Sequence, residues 1–321
     1  MKLPSIGRLR FTNFHMTSLS NTQADHRRQF MLLAPDDSDP SAFLNVLVAP
    51  HRHRDLLAEA QRLRGKTYLD IGALHRSQLS ADGRHIDEAD DRSWHLVTLD
   101  DTGRVVACLR YLAHPNKVSF SKLTVARCAL AQSETWGPKL RVAVETELRL
   151  ARERGCSYVE MGGWAITEAL RCTTEALRMI CAAFALAQAS GGALGITSAN
   201  RQSCSAAILR RIGGRGLVAR GEELPSYRET EYGSFETEIL RFDSLNPNPR
   251  YRKWMEACHE HLRGMPVIRR VRNHAFTASF VNTVSFAPRA GRQTPLEPII
   301  EKLDHSPNEH WQAAASPVPA G

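Results

Sequence analysis

A glutamate inside an apolar strand, a glycine pair two residues on, and a hydroxyl-capped helix start form the stretch best suited to chemistry in this 321-residue chain. Tyr158–Ile166 reads as a strand, and burying a carboxylate within it, Glu160, is costly unless the group is paired or used. Alternation puts Glu160 and Gly162 on one face and Val159 and Met161 on the other. Gly162-Gly163 predicts a bulge or a close backbone approach. A short polar loop follows, and then Thr173 or Thr174 caps a helix. The first unpaired N–H groups of that helix would make an anion site suited to a pyrophosphate or a phosphopantetheine phosphate. An ordinary buried strand followed by a capped helix has the same pattern.

The elements that must hold these groups are legible from periodicity. Phe43–Val48 reads as a strand and His51–Arg64 as a helix. Trp94–Leu99 and Val105–Tyr111 flank Asp100-Asp101-Thr102-Gly103 and predict a hairpin. Trp136–Arg154 reads as a helix closed by Gly155, and Thr173–Ala189 as an Ala-rich helix closed by Gly191-Gly192. Ala193–Ser198 (strand), Gln202–Ile212 (helix), Phe235–Phe242 (strand) and Pro247–Leu262 (helix) follow. The order predicts an α/β chain with a mixed sheet flanked by helices in one main domain at 41–245. Residues 1–40 read as irregular and 246–285 as a helical extension. Residues 286–321 hold six of the 16 prolines and predict a flexible tail. Thr124-Val125-Ala126-Arg127 would extend the sheet.

Strand, Arg171-Cys172-Thr173-Thr174 and helix resemble the acyl-donor loop of the GNAT acyltransferase superfamily, Arg/Gln-x-x-Gly-x-Gly/Ala. Arg171 and the small Thr174 and Ala176 are kept; the glycines are not. Ala199–Gly214 resembles the second donor segment, with Asn200, then small residues including Ser205, then a helix ending before glycine. Upstream, Arg64, Tyr68, an acidic stretch ending in Asp91, and Arg110 on the second hairpin strand resemble the acyl-homoserine-lactone synthases and the N-acyl amino acid synthases. Glu160 matches their strand glutamate. Autoinducer synthases follow it with Ser-Arg; here Gly162-Gly163 stands in that place, which favours the amino acid acylating relatives. The resemblance spans Phe43–Phe242, with an apparent helical insertion at 113–155.

It implies a GNAT-like fold and transfer of a fatty acyl group from a thioester, on acyl carrier protein or CoA, to the amine of an amino acid. Glu160 would be the general base, with burial raising its pKa. A backbone N–H of Trp164 or Ala165 would receive the thioester oxyanion. Ile166, Leu170, Arg171, Cys172, Thr173, Thr174, Asn200 and Ser205 would line the donor site, and Arg64, Tyr68, Asp91 and Arg110 the acceptor site. Arg64, Asp91 and Arg110 also fit a purely structural ion network, and Tyr68 a core aromatic. The alternatives are a lactone synthase using S-adenosylmethionine and a non-catalytic acyl- or lipid-binding protein.

Composition bounds the rest. At 42% hydrophobic residues the chain is not a disordered or collagen-like sequence. Its apolar runs, such as Cys181–Ala187, are too short to predict a transmembrane span, and the N-terminus does not read as a secretory signal. Seven cysteines without a Cys-x-x-Cys pair point away from a disulfide scaffold or structural zinc and toward the cytoplasm. The histidines lack metal spacing and no Gly-x-Ser-x-Gly elbow is present, so neither a metal site nor a serine hydrolase is expected. A net charge of +8 suits an acidic partner. Arg201, Arg210, Arg211 and Arg215 beside the second donor segment would meet an acidic carrier protein. No nucleic-acid-binding motif accompanies the charge.

Overall fold

A computed structural model describes residues 28–115, 117–171, 173–201, 205–229, 233 and 235–271. In chain order the elements are β1 (Gln29–Leu33), β2 (Asn45–Val48), α1 (Pro50–Asp70), β3 (Trp94–Leu99) and β4 (Val105–His114). Then come α2 (Gly137–Glu153), β5 (Ser157–Ile166), α3 (Glu175–Ala189), β6 (Ala193–Asn200) and α4 (Ser205–Ile212). The two-residue strands β7 (Arg215–Gly216), β8 (Val218–Ala219), β9 (Glu222–Glu223) and β10 (Tyr227–Arg228) precede β11 (Glu236–Asp243), α5 (Arg252–Leu262) and β12 (Pro266–Arg269). The main sheet runs β10-β11-β6-β5-β4-β3-β1-β12-β2, with β7 also on β11. It is mixed: β5–β6, β1–β12 and β12–β2 are parallel and the other pairs antiparallel. The expected α/β architecture, a mixed sheet flanked by helices, is the one observed.

Helices cover both faces. On one, the Ala-rich α3 is buried from Met179 to Ala187 because it lies between the sheet and α5. A helix apolar all round needs cover on both sides, and Met255, Cys258 and Leu262 of α5 supply it. On the other face, α1 packs Leu56, Leu57, Ala60 and Leu63 on Met31, Leu33, Val97 and Cys108, while α2 packs Leu140, Val144 and Leu148 near Tyr158, Leu194 and Ile196. Between α1 and α2 the same face of the sheet carries Arg110, His114 and Glu160, and the candidate site lies there.

Four sequence expectations change. The segment 1–40 contains β1, whose Phe30–Leu33 run is buried throughout and so lacks the alternation that marks a half-exposed strand. The expected extension at 246–285 supplies β12, which is inserted in the sheet between β1 and β2. Helix α1 continues past Arg64 to Asp70. Thr124–Arg127 is a 3-10 turn, not a strand. The expected tail at 286–321 lies outside the described residues.

Candidate active site

β5 and β6 pair in parallel from Ser157↔Ala193 to Met161↔Thr197 and then part. Each keeps its outer neighbour: β5 stays on β4 as far as Ala107↔Ile166, and β6 stays on β11 as far as Thr237↔Asn200. The facing edges of Gly162–Ile166 and Ser198–Asn200 therefore border a cleft within the sheet. The expected bulge lies on that edge: Cys108 pairs with Ala165 but Arg110 with Gly162, one residue extra on β5, and Gly163 takes φ +60°.

The glycine pair also makes room for two arginines. A Cβ on Gly163 would lie 2.8 Å from Arg64 Nη1 and 3.2 Å from Arg110 Cβ, and one on Gly162 would lie 3.4 Å from Arg110 Nη2. Arg64, 2% exposed, donates from Nη1 to Asp90 Oδ1 at 2.8 Å, from Nη2 to Asp90 Oδ2 at 2.5 Å and from Nη2 to the His85 carbonyl at 2.8 Å. Gln61 Nε2 also donates to Asp90 Oδ2, and His95 Nε2 lies 2.9 Å from the Asp90 carbonyl. Arg110 Nη1 is 2.5 Å from Asp87 Oδ2 and 3.6 Å from Asp90 Oδ1. Burial alone would raise the Asp90 and Asp87 carboxyls, but Arg64 and Arg110 respectively outweigh it and hold both below the ordinary carboxylate range. Burial pushes the His85 and His95 imidazoles down to about 4.

Asp91 does not join this cluster. It is exposed and pairs with Arg270 Nη1 at 2.6 Å; its predecessor Asp90 turns inward instead. Tyr68 is one turn beyond Arg64 on α1, with its hydroxyl 3.4 Å from the Trp164 carbonyl and its ring edge-on to His85. Arg64, Tyr68, Arg110 and the bulge are thus brought together.

Glu160 stands one pair inside the point where the strands part, and is 6% exposed. Its Oε1 accepts from Thr124 Oγ1 at 2.5 Å and from the Val125 N–H at 2.9 Å. Its Oε2 lies 2.9 Å from both His114 Nε2 and the Thr124 N–H. The expectation that burial raises its pKa is therefore overturned. Desolvation acts upward, but the donors outweigh it and the carboxyl lies below its ordinary value. The turn expected to extend the sheet instead supplies three of these four donors. His114 carried no sequence signal; it joins Glu160 through register, two β4 residues beyond Glu160's partner Leu112.

Of the two expected oxyanion donors, the Ala165 N–H lies against the Cys108 sulfur, on the β4 side. The Thr167 N–H, on the same edge, binds the Val106 carbonyl. Alternation then turns the Ile166 N–H toward the β6 side. Leu170 is buried, while Arg171, Thr173 and Thr174 are exposed on the loop leading to α3; Cys172 lies outside the described residues. Thr173 Oγ1 accepts from the Glu175 N–H at 3.2 Å and donates to the Leu170 carbonyl. The α3 start already holds an anion on its inner side: the buried Glu175 carboxylate accepts from Thr98 Oγ1 and pairs with Arg28 and Arg178. Asn200 ends β6, and Ser205 Oγ donates to its carbonyl at 3.3 Å. Arg201 and Arg210 are engaged by Glu236 and Glu238, which reduces the charge the four arginines offer to a carrier protein.

Among the described residues no group of three or more His, Cys, Asp or Glu side chains could hold a metal ion, and no helix is long and apolar enough to cross a membrane. No protein-family model matches the chain, and no curated protein matches it. Solved structures do. A CoA-dependent acyl-homoserine lactone synthase, BjaI, with SAM and isopentyl-CoA, aligns over 75% of this chain and 93% of its own, at TM-score 0.44 and 20% identity. FeeM, an N-acyl amino acid synthase from uncultured soil microbes, aligns over 68% and 92%, at 0.41 and 14%. The acyl-homoserine lactone synthase LasI aligns over 68% and 89%, at 0.40 and 16%.

Proposed function

We propose that this chain transfers a fatty acyl group from a thioester, on acyl carrier protein or CoA, to the amine of an amino acid. The observation that carries this is the parting of β5 and β6 beyond Met161↔Thr197, with the Gly163 bulge on one lip. Parted strand edges offer N–H and C=O groups to an extended, amide-bearing arm, which takes the place of the missing strand. A phosphopantetheine arm has that chemistry. Its phosphate end would meet Leu170, Arg171, Thr173, Thr174 and the α3 start, with Asn200 and Ser205 on the opposite lip.

In this reading the amine attacks the thioester carbonyl, a C–N bond forms, the C–S bond breaks, and the thiol leaves. The Trp164 N–H is the oxyanion donor, since that of Ala165 is turned toward β4. The ammonium proton must leave first. Glu160 is its sink, reached through Thr124: the half-buried hydroxyl accepts the proton and passes its own to Oε1, 2.5 Å away. The donors on Glu160 keep it ionised at neutral pH while lowering its basicity. Arg110 binds the acceptor carboxylate with Nη2, beside Gly162, while Asp87 holds Nη1.

The test is to incubate the full chain with palmitoyl-CoA or palmitoyl-carrier protein and an amino acid mixture, following free thiol and product mass. N-acyl amino acids with matching thiol release support the proposal. Saturable acyl-thioester binding without thiol release would make the chain a binder. An acyl-homoserine lactone formed only with S-adenosylmethionine would favour the lactone synthase.

A further inference from the structure

Three places from β5 in the sheet order, β1 borders a cavity of about 310 Å³ that shares no lining residue with the cleft. Its described lining is Arg28, Gln29 and Phe30 at the start of β1, Arg178 on α3, His261 on α5, and the turn Gly264–Pro266 leading into β12. Ligand sites begin at roughly this size, about 300 Å³. No acidic side chain lines it among the described residues. Glu175 lies behind Arg178, 2% exposed, with its carboxylate 3.6 Å from Arg178 Nη1 and bonded to Thr98.

We propose that this cavity binds a phosphate group carried by a small molecule. Arg178 is held for that task. Its guanidinium lies 5.3 Å over the Phe30 ring and is tethered from behind by Glu175, so little side-chain entropy is lost when it meets an anion. Arg178 and His261 line the cavity from two helices, and a tetrahedral anion can accept from both while Arg28 lines the third side. Phe30, Met265 and Pro266 give the rest of the molecule an apolar shelf. Burial and the Arg178 charge together push the His261 imidazole down, the field an incoming anion would cancel. The proposal stands independently of the acyl-transfer reading.

Inorganic phosphate is the probe, titrated into the full chain at constant ionic strength while the His261 ring resonances are followed by NMR. A saturable shift is expected, together with a rise in the His261 titration midpoint. Arg178→Gln should weaken phosphate about tenfold, the loss of one charge-assisted hydrogen bond. His261→Gln, which leaves the Arg178–Glu175 pair intact and is read by isothermal titration calorimetry beside the wild type because the reporting ring is gone, should weaken it severalfold and guards against a folding defect in the first variant. Acetate should bind more weakly than phosphate. No saturable shift in the wild type, wild-type affinity in both variants, or acetate binding as well as phosphate would each overturn the assignment.

Discussion

Arg64 and Asp90 meet fork to fork, Nη1 on Oδ1 and Nη2 on Oδ2, with side chains 2% and 3% exposed. They join α1 to the acidic turn before β3, at the bulge where β5 leaves β6. A pair this buried contributes little over an apolar substitute, but breaking it leaves a charge stranded. Arg64→Met should therefore lower stability by about 3–5 kcal/mol in urea melts. Arg64→Met combined with Asp90→Leu should recover much of that loss; a double variant no more stable than the single one would mean the pair is not the cause.

The acid side of the stability curve follows from two sets of groups. Asp90 and Asp87 have folded pKa values below the unfolded ones, so their contribution is complete above the unfolded value, about 4, and falls away as pH drops through the folded one. The imidazoles of His53, His85 and His95 lie at about 4 against 6.5 unfolded. In that window the unfolded chain binds more protons, so stability should be complete above pH 6.5 and decline toward pH 4, by about 3 kcal/mol for each group. His95→Gln keeps a donor for the Asp90 carbonyl and should reduce the slope of stability against pH between 6.5 and 4. An unchanged slope would show that His95 is not buried as a neutral group.

Gly163 and Gly72 both take positive φ, at +60° and +74°, but a Cβ on Gly72 meets nothing within 4 Å. Gly72→Ala should cost only backbone strain, about 1 kcal/mol. Gly163→Ala adds a contact with Arg64 Nη1, which cannot swing away because Asp90 holds it. Its melting temperature should fall well below that of Gly72→Ala; equal melting temperatures would show that the bulge tolerates a side chain.

Glu160→Gln presents an amide to four donors, so lost stability of about 1–3 kcal/mol is expected whatever its role. The proton relay is read from Thr124→Val, which keeps the backbone donors and removes the hydroxyl. If the relay operates, acyl transfer at neutral pH should fall by about 10²-fold or more and recover partly at high pH, where the amine is already neutral. Equal loss at every pH would assign Glu160 and Thr124 to holding the turn alone.

Arg110→Lys keeps the charge facing Asp87 but loses the second nitrogen. The amino acid KM should rise strongly with the melting temperature nearly unchanged; lost stability at an unaltered KM would make Arg110 a brace for the acidic turn.

Local signals located most of the elements, because hairpin, helix caps and terminal glycines act over a few residues. The glycine pair at 162–163 announced its bulge, and Arg64 and Arg110 were visible by type. What neighbours decide was less legible. Asp90 and Asp91 are equivalent as letters, and only the turn geometry sends one toward Arg64 and the other toward Arg270. Gln61, one helical turn before Arg64, was legible in principle by spacing. His114 and Thr124 reach Glu160 across strand register and a loop, which no local pattern records. β12 is four residues with no alternation, and its pairing partners lie at the far end of the chain.

That insertion of β12 bears on how the protein is made. Leu32 leaves the ribosome more than two hundred residues ahead of Val267, its partner across the ladder, a delay of roughly 10–50 s at ordinary synthesis rates. Throughout that interval one edge of β1 is without its ladder, and β2 has no place in the sheet. A nascent chain that stalls before Pro266 would carry every residue of the cleft between β5 and β6 and still expose an open, apolar strand edge, the kind of surface on which chains join one another.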